Sequence, residues 1–355
     1  MTVVTMTANE SISWFADIGL EDRPRVGGKG GSLGELTRAG IEVPPGFVVC
    51  TAAFDRFIDA LEQRAPVRSR IQVLDSQDLD AIGVVSRELR ARIEAESMPD
   101  ELQREILQAH ARLAVAGVAP IVAVRSSATT EDAADASFAG LQDTFLWVMQ
   151  PEDVLARIRS CWASLYSVES VSYRRKQNFP EAGVAMAVVV QVMVDARTAG
   201  VMFTRSPTTG DKSVITIEGA WGLGSAVVGG EVTPDRWVVG KITGEIPVRD
   251  ISDKAIRHAP APGGGIVDVE VEPDQRTAAC LSDDELLALR AVGRKVERHY
   301  GRAQDIEWAI DRHSGRVMLL QSRPETVWSN KDTAPVVTPK ADPRMHVMSI
   351  FGGIK

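Results

Sequence analysis

Three short stretches of the chain carry residues whose types and spacing suit the holding of a polyphosphate. The first, "VGGKGGSLGEL" (residues 26–36), sets Lys29 among four glycines directly before an apolar-periodic segment. Closely approached backbone amides, a helix N-terminus and a flexible cation are the ingredients of a phosphate cradle. Neither named template fits, because Lys29 is followed by Gly30 rather than Ser or Thr, and Leu33 stands where a dinucleotide fingerprint needs glycine. Taken alone, the stretch reads as a glycine-rich surface turn.

The second stretch is "AVRSSATTEDAADASFAGLQDTF", with Arg125 at the end of an apolar run and a Ser/Thr cluster and two acids behind it. A guanidinium there can bind phosphate oxygens bidentately, with the small residues "SFAG" forming a loop that closes over them. An ion pair of Arg125 with Glu131 or Asp132 is the alternative. The third is "DIEWAIDRHSGRVMLLQSRP". If its two halves pair across the turn, Glu307 and Gln321 point to one face and offer hard oxygen ligands suited to Mg²⁺. Arg323, two residues beyond Gln321, falls on the same side of its strand. A solvated sheet face with a Glu307–Arg323 ion pair is the plainer reading of this stretch by itself.

The elements that must position these residues are legible in outline. Ser32 and Glu35 read as a capping box, which predicts a short helix over residues 32–39, closed by Gly40. Residues 47–50 predict a strand behind Pro44 and Pro45, and residues 51–116 predict helix, interrupted at 69–80 and at Pro99. Strands are predicted over 121–124 and 144–148, with helix over 151–173. The apolar run at 184–194 predicts a central strand, with "AGVMFTR" as its hairpin partner. Short strands alternate with glycine turns over 213–245, and "APAPGGG" predicts a loop. Ser282 caps an amphipathic helix running to Tyr300. Beyond Pro324 the chain turns polar and proline-rich and reads as a linker-like tail.

The bulk properties are those of a folded, acidic protein: 355 residues, 44% hydrophobic, with a formal net charge of −8. That balance argues against a nucleic-acid surface, which needs a basic stripe to displace counterions. Cys50, Cys161 and Cys280 are odd in number and far apart, with no metal-ligand spacing, so reduced core thiols are expected. The N-terminus shows no basic region followed by an apolar core, and no apolar run approaches membrane-spanning length. A cytoplasmic protein without membrane or nucleic-acid partners is the expectation.

Taken in order, "VGGKGGSLGEL", "VPPGFVV", "AVRSSATTEDAADASFAGLQDTF", "VVVQVMV", "GVMFTRSP", "EGAWGLGSAVVGGEVTPDRWVV", "DIEWAID" and "LLQSRP" resemble the ATP-binding part of the phosphoenolpyruvate synthase and pyruvate phosphate dikinase family. The resemblance runs over residues 14–324. It implies an α+β ATP-grasp fold, two lobes with the nucleotide in the cleft between them. The expected organisation is an N-terminal lobe over 1–190 with the glycine-rich stretch, a C-terminal lobe over 191–325, and a tail over 326–355 able to dock on a partner. It further implies that Lys29 and Arg125 hold the ATP phosphates with Thr144 nearby. The backbone from Gln191 through Met193 to Val194 would read the adenine edge, and Glu218 would reach the nucleotide. Arg205 would stabilise the transferring group, Glu307 and Gln321 would hold Mg²⁺, and Arg323 would hold phosphate oxygens.

Members of that family also carry a swivelling domain with a phosphorylated histidine in a "TSHAA"-like setting. The five histidines here, His110, His258, His299, His313 and His346, have no such setting: two fall in helical stretches, His313 in a turn, His258 in a loop and His346 in the tail. The expected function is therefore that of an ATP-binding subunit of a split dikinase-type phosphotransferase. It would phosphorylate a histidine on a partner, giving AMP and phosphate, for transfer to an acceptor such as a phenol. In size the chain resembles the ATP-binding subunit of phenylphosphate or alkylphenol (cresol) phosphate synthases. The alternatives are an excised ATP-binding domain of a phosphoenolpyruvate synthase or rifampicin phosphotransferase, a small kinase making ADP, and a non-catalytic nucleotide-binding protein.

Overall fold

The computed structural model describes residues 10–115, 117–129 and 143–328. Glu131, Asp132, the "SFAG" stretch, His346 and most of the expected tail lie outside the described residues.

Two antiparallel sheets organise the chain. The first has the order β1-β2-β5-β3-β4: β1 (Ile12–Trp14), β2 (Gly46–Val49), β3 (Val122–Ala128), β4 (Thr144–Val148) and β5 (Met186–Val192). Because side chains alternate along a strand, each strand serves two surfaces. Phe47, Val49, Val122, Val124, Val188 and Val190 face a core built with α2 (Thr51–Glu62), α4 (Leu79–Ala95), α5 (Asp100–Arg112) and α6 (Pro151–Ser164). The short α3 (Arg68–Gln72) and α7 (Val168–Lys176) complete that side. Val48, Ala187 and Val189 face the other way, against Val26 and Leu33 of α1 (Arg23–Arg38).

The second sheet has the order β13-β12-β6-β7-β8-β9: β6 (Ala196–Phe203), β7 (Val214–Trp221), β8 (Asp235–Gly240), β9 (Val248–Asp250), β12 (Gln304–Asp311) and β13 (Val317–Pro324). One face packs Met202, Ile215, Ile217, Trp237, Ile306 and Trp308 on Leu286, Leu289 and Val296 of α10 (Asp283–Tyr300). Past the end of β7 lie α8 (Ser225–Val228), the hairpin of β10 (Ile256–Pro260) with β11 (Ile266–Glu270), and α9 (Pro273–Arg276). Beside them the carboxylate of Asp235 and the ammonium of Lys254 are both fully buried at 2.5 Å. Asp235 also accepts from the backbone N–H groups of Ser252 and Cys280, which keeps the buried carboxylate satisfied.

The α+β, two-lobed arrangement is the one implied by the ATP-grasp resemblance, and the Ser282 capping box is present. Five local expectations are corrected. The glycine-rich stretch is helix rather than turn, since α1 begins at Arg23 and is broken only at Gly27, where φ is +71°. A Cβ at Gly27 would lie 2.1 Å from the Ser127 carbonyl oxygen, and one at Gly34 would lie 2.4 Å from that of Ile18. These glycines thus let a helix sit directly on backbone, which outweighs their poor helix propensity. Ser32 is consequently interior to α1 and caps nothing; its hydroxyl donates to Ser322 O across the lobes at 2.5 Å. The strand carrying Arg125 runs on to Ala128, so Arg125 is mid-strand. The "AGVMFTR" segment is not the partner of β5: Val192 N–H donates to Pro45 O and Met193 N–H to Ile121 O, holding that strand end in the first sheet, while β6 enters the second between β12 and β7. The helix expected over 151–173 is two helices, parted after Ser164.

Candidate active site

Beyond the cover of α1, the same face of the first sheet stays open. Ala123, Arg125 and Gln191 lie on it with Thr144, the cross-strand partner of Arg125 on the edge strand β4. Opposite, the face of the second sheet turned from α10 presents Ala199, Glu307 and Ala309. Between them is a cavity of about 420 Å³, within the usual range for small-molecule sites. Its apolar end is made by Met193, Val194, Ala196, Ala199, Leu223 and Ala309. Its polar end is made by Arg125, Thr144 and Glu307.

The decisive contact joins two of the stretches first singled out. Arg125 donates to Glu307 Oε2 at 2.9 Å, to Gln321 Oε1 at 2.6 Å and to the carbonyl of Leu320 at 2.8 Å. Glu307 and Gln321 are cross-strand partners on β12 and β13, as the hairpin reading required. Arg125 thus crosses from one sheet to the other with only 7% of its surface exposed. The two acids considered from sequence, Glu131 and Asp132, lie outside the described residues, and the Glu307–Arg323 pair is not formed. Arg323 instead meets Asp305 at 3.4 Å.

The strand register orders the remaining candidates. From Ala309 through Glu307 to Asp305, β12 runs from the apolar end of the cavity outward, and Arg323 stands opposite Asp305. Arg205 follows the end of β6, whose Phe203 also stands opposite Asp305. It is buried, donates to Gly210 O at 2.8 Å, lies 4.0 Å from the Glu325 carboxylate and sits over the Trp328 ring. Arg205 and Arg323 therefore belong to the outer end rather than to the cavity wall. Glu218 lies in the same cross-sheet row as Glu307, with Val201 between them, roughly 10 Å away by strand spacing. Burial pushes its carboxyl up, against the opposing influence of Arg236. Gln191 lines the cavity while its amide donates to Pro44 O. The N–H of Met193 is committed to Ile121, and Val194, the next residue, lines the apolar end.

Lys29 is placed differently from Arg125. It is 7% exposed on the first turn after Gly27, where the Gly30 N–H donates to Ser127 Oγ at 3.1 Å and that hydroxyl donates to Val26 O. Its charge reaches the Cys161 thiol, which burial holds strongly up. Lys29 thus sits beside Ser127, toward the far end of β3 from the cavity.

Asp305 went unrecognised in the sequence although period-2 alternation puts it on the face of Glu307. Its side chain is one-fifth exposed. Burial chiefly, with help from Glu325 and against Arg323, pushes its carboxyl up to about 6. Its Oδ1 is buried without a hydrogen-bond partner. Carboxylate and amide oxygens on paired strands, with an unsatisfied carboxylate oxygen beside them, form a donor set that fits a hard divalent cation. A further correction concerns His258, which lies in β10, 5% exposed, rather than in a loop. Cys50, Cys161 and Cys280 are free and buried. Among the described residues no helix is long and apolar enough to cross a membrane.

Residues 23–342 match the family model for the pyruvate phosphate dikinase AMP/ATP-binding domain. The chain is 44% identical over 317 residues to a probable phosphoenolpyruvate synthase of Methanothermobacter thermautotrophicus, covering 89% of this chain and 46% of that protein. It is 37% identical over 363 residues to the phosphoenolpyruvate synthase of Pyrococcus furiosus, covering 91% and 44% respectively. The chain thus spans less than half the length of these curated relatives. A solved D-alanyl-alanine synthetase A from Vibrio cholerae overlaps 70% of this chain and 56% of its own at 10% identity, with a TM-score of only 0.25. The family match over most of the chain and the relatives' identity settle its membership: the chain belongs to the pyruvate phosphate dikinase AMP/ATP-binding domain family.

Proposed function

We propose that the chain binds ATP with Mg²⁺ in the cleft and directs phosphoryl transfer to a histidine carried elsewhere, on a partner or a further domain. The observation that carries this is the convergence of Arg125, Glu307 and Gln321 from opposite sheets at the polar end of a cavity with an apolar far end. Adenine suits the apolar end near Met193 and Val194, which directs the phosphates toward Arg125 and Thr144. Arg323 and Arg205 lie further out on the same path, and Lys29 approaches from α1. Mg²⁺ on Glu307 and Gln321, with Asp305 adjacent, would neutralise phosphate charge. The chain's own work is then positioning and charge stabilisation.

In this reading the histidine attacks the β-phosphorus of ATP and AMP leaves. Hydrolysis of the pyrophosphorylated histidine then gives inorganic phosphate and phosphohistidine. The acceptor is an alkylphenol or phenol in our first reading. The relatives named phosphoenolpyruvate synthase favour a second, in which the acceptor is pyruvate and the chain corresponds to one domain of such an enzyme. Chromatographic product analysis tests both. The chain with ATP and Mg²⁺ is incubated alone and with a histidine-bearing carrier domain, and phenol or pyruvate is then added. AMP and a phosphorylated carrier only in the mixture support the proposal, and the acceptor that discharges the carrier selects the reading. ADP formed by the chain alone refutes it.

A further inference from the structure

A second cluster of ligating side chains lies where the segment after α8 meets the β10–β11 hairpin, behind Ser225 of the cavity wall. His258 on β10 points its Nε2 at Glu231 Oε2, 3.1 Å away, and at Asp268 Oδ1 on the neighbouring β11, 3.2 Å away. The three ligand atoms all lie within 4.8 Å of one another. The histidine is 5% exposed, whereas the carboxylate side chains are 49% and 64% exposed, so the group opens to solvent on one side only. We propose that Glu231, His258 and Asp268 form a binding site for a divalent first-row transition ion of the Zn²⁺ type.

Three features fit an ion at this site. The first is spacing. With metal–ligand bonds of about 2.1 Å, neighbouring ligand atoms stand about 3.0 Å apart in an octahedral shell and about 3.4 Å apart in a tetrahedral one. The two distances from Nε2 fall between these values. The second is the other ring nitrogen: Nδ1 lies 2.7 Å from Ser225 Oγ. A metal-bound Nε2 leaves Nδ1–H to donate to that hydroxyl, the outer partner that fixes the tautomer of ligating histidines. The third is rigid backbone support. Leu223 N–H donates to His258 O, and a Cβ at Gly222 would lie 2.4 Å from that same oxygen, so the strand bearing the imidazole is pinned to the segment leading into α8. One imidazole and two carboxylates, with positions open to water, suit Zn²⁺ better than Mg²⁺. The ion would clamp the segment after α8 to the β10–β11 hairpin, and Ser225, which lines the nucleotide cavity, would be held by the same imidazole.

The test is Zn²⁺ binding to the full chain by isothermal titration calorimetry in millimolar Mg²⁺, with thermal unfolding followed in parallel. The variants are Asp268→Asn, whose exposed side chain can change without disturbing the fold, His258→Gln, and Glu307→Gln as a control in the proposed nucleotide site. One equivalent should bind the wild type and Glu307→Gln alike and raise their unfolding temperature. Asp268→Asn should bind at least tenfold more weakly, and His258→Gln should lose the site. Absence of Zn²⁺ binding to the wild type, or equal affinity in Asp268→Asn, overturns the proposal.

Discussion

Replacing Arg125 separates an architectural guanidinium from one that serves the nucleotide. In Arg125→Met the side chain keeps its apolar length but loses three hydrogen bonds, two of them to Glu307 and Gln321. The Glu307 side chain is 30% exposed and can regain water, so the loss in folding stability is discounted to about 2 kcal/mol. If Arg125 turns its fork to phosphate when ATP binds, the same change removes two charge-assisted bonds worth about 1.5 kcal/mol each. About 3 kcal/mol corresponds to roughly a 100-fold rise in Kd. Arg125→Lys keeps the charge but not the fork and should recover only part of that loss. Calorimetric titration with a non-hydrolysable ATP analogue in excess Mg²⁺ reads affinity, and urea unfolding reads stability. An Arg125→Met protein that unfolds more easily yet binds the analogue within threefold of wild type refutes the phosphate role and leaves Arg125 as a strut between the sheets.

Three further outcomes follow from the geometry. Asp305 binds its proton more tightly folded than unfolded, its carboxyl lying near 6 against an ordinary value of about 3.8, so between about pH 4 and pH 6 the native state holds the extra proton. Stability should fall as pH rises through that window, by on the order of 3 kcal/mol; Asp305→Asn should flatten the slope in urea melts, and an unchanged slope would remove Asp305 as its source. Asp235→Asn strands the buried Lys254 ammonium and should cost about 3–5 kcal/mol, whereas Asp235→Asn combined with Lys254→Met, which removes the stranded charge and keeps an acceptor oxygen for the backbone N–H groups, should cost less; equal losses would contradict the pairing argument. Gly27→Ala places a Cβ against Ser127 at a positive φ and should destabilise by at least about 2 kcal/mol in denaturant unfolding, while a neutral result would mean that α1 can lift from β3 without penalty.

How far the sequence reaches depends on how far apart the deciding atoms lie along the chain. The β12–β13 hairpin was legible because turn and alternation are local, and both place Glu307 opposite Gln321. The α10 capping box spans four residues and was legible for the same reason. The glycine run was misread because its helicity is not local: free backbone there favours a turn, and only the close approach of Ser127 and Ile18 explains why glycines sit in a helix. The expected β5–β6 hairpin failed similarly, since three residues separate the strands but distant Pro45 and Ile121 hold the end of β5. His258 sits in a polar segment that reads as loop, and its burial depends on Leu223 and on the β11 strand that follows.

The Arg125 contact shows what lies between those extremes. Residue type and strand position marked Arg125, Glu307 and Gln321 separately, and each alone had a plain explanation as an exposed or locally paired side chain. In the structure the Arg125 guanidinium lies across the cleft, on partners 182 and 196 residues away. Ordering two long side chains across such a separation is costly unless the lobes already bring them together. The packing of α1 does so: Leu33 lies in the core of the first sheet, while Leu36, less than one turn on, lies in the core of the second. The glycine-rich stretch therefore contributes to the cleft first as the close-packed beginning of a helix that joins the two sheets. Whatever Lys29 does for a phosphate depends on that packing.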